Sequence, residues 1–219
     1  MSRENDEAVK IYQDPEYAKK YIKGGLIKAA QDPDHAKAKS DRWHDFFLRS
    51  LDGIPDNTLL EIGAGPGEDS VFFKETGYDV TGSDVSPHYV QLMKKNGVKA
   101  IELNVVNDEI PGKYSAVLAW RMMVHLSPED IEVVMPKVYA ALKEGGRFIC
   151  NIFNRKEGEP NYKKVDFDGP YHMGIERPYF YHTEQEINAI IKKTSFKIKS
   201  FHMEGGDDGK KWLVYVLEK

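Results

Sequence analysis

The sequence predicts a doubly wound α/β fold: a seven-stranded, mostly parallel sheet with an antiparallel last strand and helices on both faces. Between residues 58 and 153 short apolar segments alternate with helical ones, which is the order that builds a parallel sheet. Only residues 204–211 separate the last two predicted strands, and a parallel crossover needs roughly a dozen residues or more. These two strands must therefore form an antiparallel hairpin. The first 50 residues, polar and helical in pattern, add an N-terminal helical cap.

The N-terminal cap contains two clear helix starts. Asp14-Pro15 and Asp32-Pro33 each place a capping carboxylate before a proline at the first helical position. Gly24-Gly25 is expected to end the first of these helices, because glycine is a poor helix former. In the second helix, apolar residues between Trp43 and Leu51 recur at helical spacing.

Turn and capping residues set the boundaries of the later elements. Ser127-Pro128 is a strong helix start, because a serine cap precedes a proline in the first turn. That helix is predicted to continue to Lys143 with a kink at Pro136, and Gly145-Gly146 is expected to end it. The strands are expected at 58–62, 78–83, 98–103, 114–120, 147–153, 196–203 and 212–218, and the remaining helices at 68–76, 86–96 and 183–193.

The chain divides by pattern into the N-terminal cap, residues 1–50, and a main domain, residues 51–219. Within the main domain, residues 154–182 show no clear periodicity but are rich in tyrosine, phenylalanine and histidine. A long irregular segment in a compact domain is usually functional or disordered, and this density of rings argues against disorder. We therefore expect the aromatic insert, residues 154–182, to help enclose a pocket for a small molecule.

The overall composition excludes several classes of protein. A net charge of −4 and a pI of about 6.0 give no general attraction to nucleic acid or to an anionic membrane, so neither is expected as a partner. Cys150 is the only cysteine, which excludes an intramolecular disulfide and a multi-cysteine metal site and suits a reducing compartment. No apolar run approaches the roughly 20 residues of a membrane helix, and the first residues are polar and acidic. We expect a cytoplasmic protein without a metal.

The sharpest motif is a glycine loop between the first strand and the next helix. In Leu59–Gly67, Gly63 allows a tight turn, Gly65 lets a ligand approach the backbone, and Gly67 lets the helix pack against the strand. Asp84 ends the second strand, 21 residues after Gly63. This is close to the spacing of roughly 20 residues for an acid that binds ribose hydroxyls. The sequence therefore predicts a nucleoside site at this edge of the sheet.

Two classes of cofactor share that geometry. Dinucleotides favour Gly-x-Gly-x-x-Gly, with the pyrophosphate at the helix N-terminus; here the third glycine comes one residue earlier, and Glu68 and Asp69 would repel a pyrophosphate. S-adenosylmethionine has no phosphate, and its sulfonium and amino groups are cationic, so acidic Glu61 favours it. The predicted terminal hairpin also speaks against a nicotinamide-dependent oxidoreductase, whose last strand is parallel.

The motifs together resemble the class I S-adenosylmethionine-dependent methyltransferases. Glu61–Gly67 resembles motif I of that family, and Asp84 matches its ribose-binding acid. Leu142–Phe148 is similar to the Leu-Lys-x-Gly-Gly segment before the family's fifth strand, and Tyr179–Ile187 is similar to the start of the helix that follows. The antiparallel last strand is also a family trait. The resemblance covers roughly residues 40–219.

That resemblance implies a Rossmann-like domain that transfers a methyl group from S-adenosylmethionine, with S-adenosylhomocysteine as product. It implies that Asp84 holds the ribose and that Val85 flanks the adenine. Asn104 falls where the family often has an acid that binds the adenine amine, and its amide oxygen can accept that bond. The complete implied cofactor set is Glu61, Gly63, Ala64, Gly65, Gly67, Asp84, Val85, Asn104, Val105, Ala119, Trp120 and Arg121.

On the acceptor side, His125 is the candidate general base, needed only if the acceptor must lose a proton. A structural histidine that caps a turn is the alternative. In similar enzymes, helices at the N-terminus close over the cofactor as a lid. Helix packing explains the N-terminal tyrosines equally well, and a position in the core is the alternative to substrate contact for Trp43. The substrate candidates are Tyr17, Tyr21, Trp43, Tyr171 and His172.

The acceptor itself is predicted only by class. Ala119–Met122 stands where methyltransferases of nucleic-acid amines carry Asn-Pro-Pro-Tyr, which argues against that chemistry. The aromatic insert favours a small-molecule acceptor over a protein side chain. A non-catalytic S-adenosylmethionine-binding protein remains an open alternative, and it would bind the cofactor without turnover.

Overall fold

A computed structural model describes residues 2–166, 169, 172–205 and 211–219. None of its helices within those ranges is both long enough and apolar enough to span a membrane. The helices are α1 (Arg3–Gln13), α2 (Pro15–Gln31), α3 (Pro33–Ser50), α4 (Glu68–Glu75), α5 (Pro87–Lys95), α6 (Pro128–Ala141) and α7 (Glu184–Lys192), with a 3-10 helix at Met123–His125. The strands are β1 (Thr58–Ile62), β2 (Asp79–Asp84), β3 (Lys99–Glu102), β4 (Tyr114–Ala119), β5 (Leu142–Asn154), β6 (Tyr162–Val165), β7 (Arg177–His182), β8 (Lys197–Gly205) and β9 (Lys211–Glu218).

The strand order of the sheet reverses beside β1. This strand pairs in parallel with β2 on one edge and with β4 on the other, and the sheet continues through β2 to β3 and through β4 to β5. The ligand crevice of such a sheet lies beyond the carboxyl ends of the strands at the reversal. The ends of β1, β2 and β4 therefore define the candidate site.

The predicted antiparallel end of the sheet is confirmed. β9 runs antiparallel to β5, with Tyr215 opposite Cys150, and β8 pairs antiparallel with β9. The predicted sheet therefore has the order β3-β2-β1-β4-β5-β9-β8 in the described residues. The parallel last strand that a nicotinamide-dependent oxidoreductase requires is not what the chain forms.

Side chains alternate between two cores along the central strands. In β1, Leu60 and Ile62 pack in a cluster with α6 and α7, whereas Leu59 packs in a second cluster with α3, α4 and α5. Val117 and Leu118 of β4 divide between the two clusters in the same way. Alternate residues of each strand therefore point to opposite faces of the sheet, and helices cover both faces, as the sequence predicts.

The expectation that Gly24-Gly25 ends a helix is wrong, because α2 continues through both glycines to Gln31. The helix ends where a stronger signal follows. Asp32 accepts a hydrogen bond from the amide of His35 (3.1 Å) and starts α3. Pro33 disfavours helical backbone at the residue before it. The capping pair, rather than the glycine pair, separates the two helices.

The boundary between α6 and β5 also differs from the prediction, since β5 begins at Leu142, before Gly145-Gly146. Tyr114 of β4 lies opposite Leu142, but Ala116 lies opposite Arg147, so β5 carries extra residues between them. Gly145 has a φ of 75°, a conformation that glycine adopts without steric cost. The two glycines mark a β-bulge and not the end of the helix.

The aromatic insert, predicted to be irregular, contains the antiparallel hairpin of β6 and β7 in its described part. β7 also pairs in parallel with the end of β5, where Tyr181 lies opposite Phe153. On the other edge of β5, Phe153 lies opposite Trp212 of β9. The hairpin therefore pairs with the same edge of β5 as β4 does, beyond the point where β4 ends at Ala119. This position is beside the ligand crevice.

Candidate active site

The glycine loop between β1 and α4 has the backbone that the motif predicts. Gly63, Gly65 and Gly67 have φ angles of 69°, 54° and 86°, all in the region that residues with a side chain rarely adopt. The amide of Ala64 donates to the carbonyl of Ser83 (2.9 Å) at the end of β2. This bond ties the loop to the neighbouring strand.

The three glycines differ in what surrounds them. A Cβ atom on Gly63 would lie 2.4 Å from the Cγ of Met122, and one on Gly67 would lie 2.4 Å from the Cγ of Met93. Beside Gly65 a Cβ atom would meet no described atom within 4 Å. Gly63 and Gly67 are therefore needed for packing inside the protein, and Gly65 presents bare backbone to open space, where a ligand can approach.

Asp84 faces this open backbone. Its side chain is 7% exposed, one oxygen accepts from the amide of Gly65 (2.9 Å), and the other accepts from the amide of Ser86 (2.9 Å). Burial raises the pKa of Asp84 to about 6, although the two amides oppose the shift. A carboxylate beside a bare loop at the strand reversal fits the ribose of an adenosine, because its oxygens accept bonds from both hydroxyls.

Glu61 is buried behind the glycine loop rather than open to the crevice. It is 4% exposed and accepts a hydrogen bond from the hydroxyl of Ser70. Burial raises the pKa of Glu61 well above its usual value, and the nearby charge of Asp69 adds to the shift. The carboxyl group therefore supports the loop from beneath.

The residues implied for the adenine side occupy different surroundings. Val85 is half-buried after Asp84 at the crevice. Asn104 accepts the amide of Val106 on its side-chain oxygen (3.2 Å), so this oxygen caps its own turn. Val105 is 5% exposed and belongs to the core cluster with α6 and α7. Packing, rather than ligand contact, accounts for Val105 in this structure.

Beyond β4 the chain turns sharply at Arg121. This residue has a φ of 59°, uncommon for a residue other than glycine, and its amide donates to the side-chain oxygen of Asn151 (2.6 Å). Strained backbone of this kind clusters at functional sites. Ala119 is fully buried, and Trp120 packs with Phe47 in the core, so Arg121 is the exposed member of this predicted set.

His125 lies in the 3-10 helix and connects two parts of the crevice wall. Its Nδ1 lies 3.0 Å from the carbonyl oxygen of Pro178 in β7, and its Nε2 lies 2.9 Å from the hydroxyl oxygen of Tyr12 in α1. The carbonyl can only accept, so Nδ1 carries the proton and Nε2 accepts from Tyr12. Burial lowers the pKa of His125 to about 4, which keeps the ring neutral.

The N-terminal tyrosines converge on the same wall. Tyr17 is 1% exposed, its ring stacks on Tyr21 at 6.2 Å, and it meets Tyr12 edge-on at 5.2 Å. Tyr21 in turn lies 6.4 Å from the ring of Tyr89, at the start of α5. The charge of Asp84 contributes to raising the pKa of Tyr21, after burial. α2 therefore reaches the start of α5 and the end of β2.

Two functional candidates escaped the sequence analysis. Arg177 begins β7 and is 2% exposed, and its Nη1 donates to the hydroxyl of Tyr17 (2.9 Å). Tyr89 is 2% exposed, and its hydroxyl has no hydrogen-bond partner in the described residues. In sequence Tyr89 is an ordinary buried helix position, and Arg177 stands in a segment without periodicity. Nothing in either pattern signals a site.

Two other substrate candidates make contacts of a different kind. Trp43 packs on Trp120 at 4.6 Å and on Phe46 at 5.9 Å, in the aromatic core cluster. His172 is exposed and pairs with Asp166 at 3.1 Å. Tyr171 lies outside the described residues. The structure thus brings together Tyr17, Tyr21 and His125, whereas the contacts given above for Trp43 are with the aromatic core and that for His172 is with Asp166.

The order of the strands, the antiparallel last strand and the glycine loop with its acid are those of the class I S-adenosylmethionine-dependent methyltransferases. A comparison with protein families agrees: the methyltransferase-domain model matches residues 34–200. The chain belongs to the methyltransferase-domain family.

Individual relatives are more distant. A glycine/sarcosine N-methyltransferase of Parasynechococcus marenigrum is 28% identical over 127 residues, which are 53% of this chain and 45% of the relative. The chain spans about half the length of the curated relatives it matches.

Solved structures share the fold over most of the chain. Magnesium protoporphyrin IX methyltransferase from Synechocystis, crystallised with S-adenosylmethionine, has a TM-score of 0.70 at 14% identity and covers 100% of this chain and 99% of its own. A 1,6-didemethyltoxoflavin-N1-methyltransferase from Burkholderia thailandensis has a TM-score of 0.63 at 20% identity, over 94% of this chain and 90% of its own. At these identities the likeness is one of fold.

Proposed function

We propose that the protein transfers the methyl group of S-adenosylmethionine to a small-molecule acceptor by in-line displacement. The observation that carries the proposal is the carboxylate of Asp84, which is hydrogen-bonded to the bare backbone of Gly65 at the point where the strand order reverses. The names of several relatives support a small acceptor, since they act on glycine and sarcosine, protoporphyrin and didemethyltoxoflavin.

S-adenosylmethionine supplies a methyl group that the sulfonium has already activated, so positioning and exclusion of water are the protein's main tasks. In this proposal Asp84 holds the ribose hydroxyls and Gly65 lets the cofactor lie against the loop. Tyr17 and Tyr21 exclude water from the crevice, and Arg121 lies at its rim.

The pair of Tyr12 and His125 provides a path for a proton leaving the acceptor. The hydroxyl of Tyr12 already donates to Nε2 of His125. When the Tyr12 oxygen takes a proton from the acceptor, Tyr12 can release its own hydroxyl proton to the imidazole. The lowered pKa of His125 makes this a weak base. Such a pair suits an acceptor whose proton becomes strongly acidic once the methyl group is attached.

The test of cofactor binding is calorimetric titration with S-adenosylhomocysteine. Asp84→Asn replaces an ionised acceptor of two hydroxyl bonds, and a charge-assisted hydrogen bond contributes about 1.5–3 kcal/mol, so we expect affinity to fall by about tenfold or more. The matched control is Asp79→Asn, which changes an acid at the opposite end of β2, paired with Lys99 on the surface. Equal affinity of wild type and Asp84→Asn would refute the assignment.

Turnover separates the proposed enzyme from a binding protein. Release of S-adenosylhomocysteine from S-adenosylmethionine in the presence of a panel of small amines, phenols and carboxylic acids is the expected result. Tight binding of the cofactor with no acceptor-dependent release for any compound class would instead favour a non-catalytic S-adenosylmethionine-binding protein.

A further inference from the structure

Among the described residues, the edge of β5 between β4 and β7 contains a gap in strand pairing. β4 ends at Ala119, opposite Cys150, and β7 pairs farther along the same edge, at Phe153. Asn151 is the first residue of β5 in this gap and is 2% exposed. Its side-chain oxygen accepts the amide of Arg121 at 2.6 Å. The side chain of Asn151 therefore holds the chain at the point where β4 stops pairing.

The turn that Asn151 holds is strained. Arg121 has a φ of 59° and is the one residue other than glycine with a positive φ in the described ranges. Residues with a side chain disfavour this conformation, because the Cβ atom comes too close to the following carbonyl oxygen. Such a conformation persists only where the surrounding structure imposes it. The hydrogen bond to Asn151 fixes the backbone at this residue.

The chain after this turn builds part of the crevice wall. The side chain of Met122 packs against the glycine loop, where a Cβ atom on Gly63 would lie 2.4 Å from its Cγ. The carbonyl of Met122 accepts the amide of His125 (3.0 Å) at the 3-10 helix. A change of backbone at Arg121 would therefore displace both a support of the glycine loop and the helix that carries His125.

The charge of Arg121 acts on two separate elements, α2 and α4. Burial raises the pKa of Tyr21 in α2 and of Glu68 at the start of α4, and the charge of Arg121 opposes both shifts. The guanidinium is therefore within electrostatic range of the N-terminal cap and of the helix that follows the glycine loop. Because the turn sets where this side chain starts, the turn also sets where the charge lies.

We infer that Asn151 is a positioning residue for the proposed methyl transfer: it holds the strained turn at Arg121 and so keeps the crevice in shape before the cofactor binds. The inference rests on the proposed function and adds to it a residue that acts through another. Without an acceptor at position 151, the turn can relax to a conformation without strain. The cofactor then binds only the fraction of molecules in which the turn is in place, and its apparent affinity falls by that fraction.

The experiment is a double-mutant cycle in which calorimetric titration measures the affinity for S-adenosylhomocysteine. Asn151→Leu keeps the size of the side chain and removes the acceptor. We expect it to weaken binding by about tenfold or more, the equivalent of one strained backbone conformation. Measured against Arg121→Gly alone, the same substitution in the Arg121→Gly background should weaken binding by less than about threefold, because glycine adopts a positive φ without steric cost.

Two further variants separate positioning from packing. Asn151→Asp keeps an oxygen that accepts the amide whether or not the carboxyl group is ionised, and it should bind S-adenosylhomocysteine within about threefold of wild type. The matched control is Asn188→Leu, which removes a side-chain amide of α7 that accepts from the hydroxyl of Tyr215 at 3.2 Å. This control should leave the affinity unchanged.

A measurement of stability tests the strain itself and does not need the Asn151→Leu protein. Arg121→Gly should have a higher midpoint of urea unfolding than Arg121→Ala, because only alanine has a Cβ atom that strains the turn. At positions without such strain the order is reversed, since glycine leaves the unfolded chain more freedom.

The outcomes separate this inference from the proposed function. Failure of the wild-type protein to bind S-adenosylhomocysteine would count against the proposed function itself. An Asn151→Leu protein that folds and binds only in the Arg121→Gly background would support the positioning role. Wild-type binding together with equal losses from Asn151→Leu in both backgrounds, no loss in either, unfolding in both, or a higher midpoint for Arg121→Ala than for Arg121→Gly would leave the proposed function standing and overturn the role of Asn151.

Discussion

At the scale of single residues, Asp84 and Tyr89 offer two kinds of polar atom near the end of β2. The carboxylate of Asp84 is held by two backbone amides, so its position is fixed before any ligand arrives. The hydroxyl of Tyr89 is buried without a partner in the described residues. A buried hydroxyl without a hydrogen bond lowers the stability of the folded protein. A ligand that accepts a hydrogen bond from it would recover that loss.

Tyr89→Phe should therefore separate stability from binding. We expect the free energy of unfolding to be unchanged or to rise by up to about 1 kcal/mol, and the affinity for S-adenosylhomocysteine to fall by about two- to tenfold, the range of one neutral hydrogen bond. Urea unfolding and calorimetry measure the two quantities. Tyr78→Phe, at the other end of β2 against Phe73, is the control; a Tyr89→Phe protein that binds as tightly as wild type would contradict the role.

The neutral state of His125 predicts a dependence of stability on pH. Its pKa in the folded protein is about 4, below the value of about 6.5 expected in the unfolded chain. The unfolded chain therefore takes up a proton first as the pH falls, and this residue's contribution to stability is lost between about pH 6.5 and pH 4.

His125→Gln keeps a donor for the Pro178 carbonyl and an acceptor for Tyr12 but does not titrate. Relative to this variant, wild type should lose about 2 kcal/mol of unfolding free energy between pH 7 and pH 4.5. The shift of Asp84 is common to both proteins and cancels in the difference. Parallel pH profiles from urea unfolding would show that the fold does not lower the pKa of His125.

At the scale of elements, the glycine loop and the strand order were predictable because they depend on local signals. β1 was predicted at its observed boundaries, since an apolar run is followed by a glycine loop. β7 was missed because all six of its residues, Arg177–His182, are buried, so no alternation of polar and apolar residues marks it. The bulge at Gly145-Gly146 looked like a helix end because glycine serves both purposes.

The acceptor side was harder to predict than the cofactor side for a related reason. Gly65 and Asp84 are recognisable because they lie at fixed positions after strands. Tyr17 and Arg177 are 160 residues apart in sequence, and their contact depends on how α2 and β7 pack. Spacing along the chain carries no information about such a contact.

Two helix caps offer a test of how single elements contribute to stability. Thr183 forms a capping box with Glu186 at the start of α7, whereas Ser86 starts α5 without a side-chain cap bond. Thr183→Ala should lower the free energy of unfolding by about 1 kcal/mol, and Ser86→Ala should not lower it, because its buried hydroxyl bonds nothing in the described residues. Urea titrations of both variants check this; equal losses would contradict the assigned caps.

At the scale of the whole molecule, α1 and α2 differ from α3 in how they join the sheet. Phe47 of α3 is fully buried in the core cluster with α4 and α5. α1 and α2 join the rest of the protein through polar pairs that include Tyr12 with His125, Arg177 with Tyr17, and Lys164 with Glu7. These pairs lie on the crevice wall or its rim, so we expect α1 and α2, rather than the whole of residues 1–50, to act as the lid.

A lid held by such pairs should open far more often than the core unfolds, because local opening requires the loss of few buried apolar contacts. We expect the backbone amides of α1 and α2 to exchange with deuterium faster than those of α6, and saturating S-adenosylhomocysteine to slow exchange in α1 and α2 while leaving α6 unchanged. Hydrogen–deuterium exchange followed by mass spectrometry resolves these helices. Amides of α1 and α2 that exchange as slowly as those of α6 without ligand would mean that the N-terminal helices are part of the rigid core, and that the cofactor reaches Asp84 by another route.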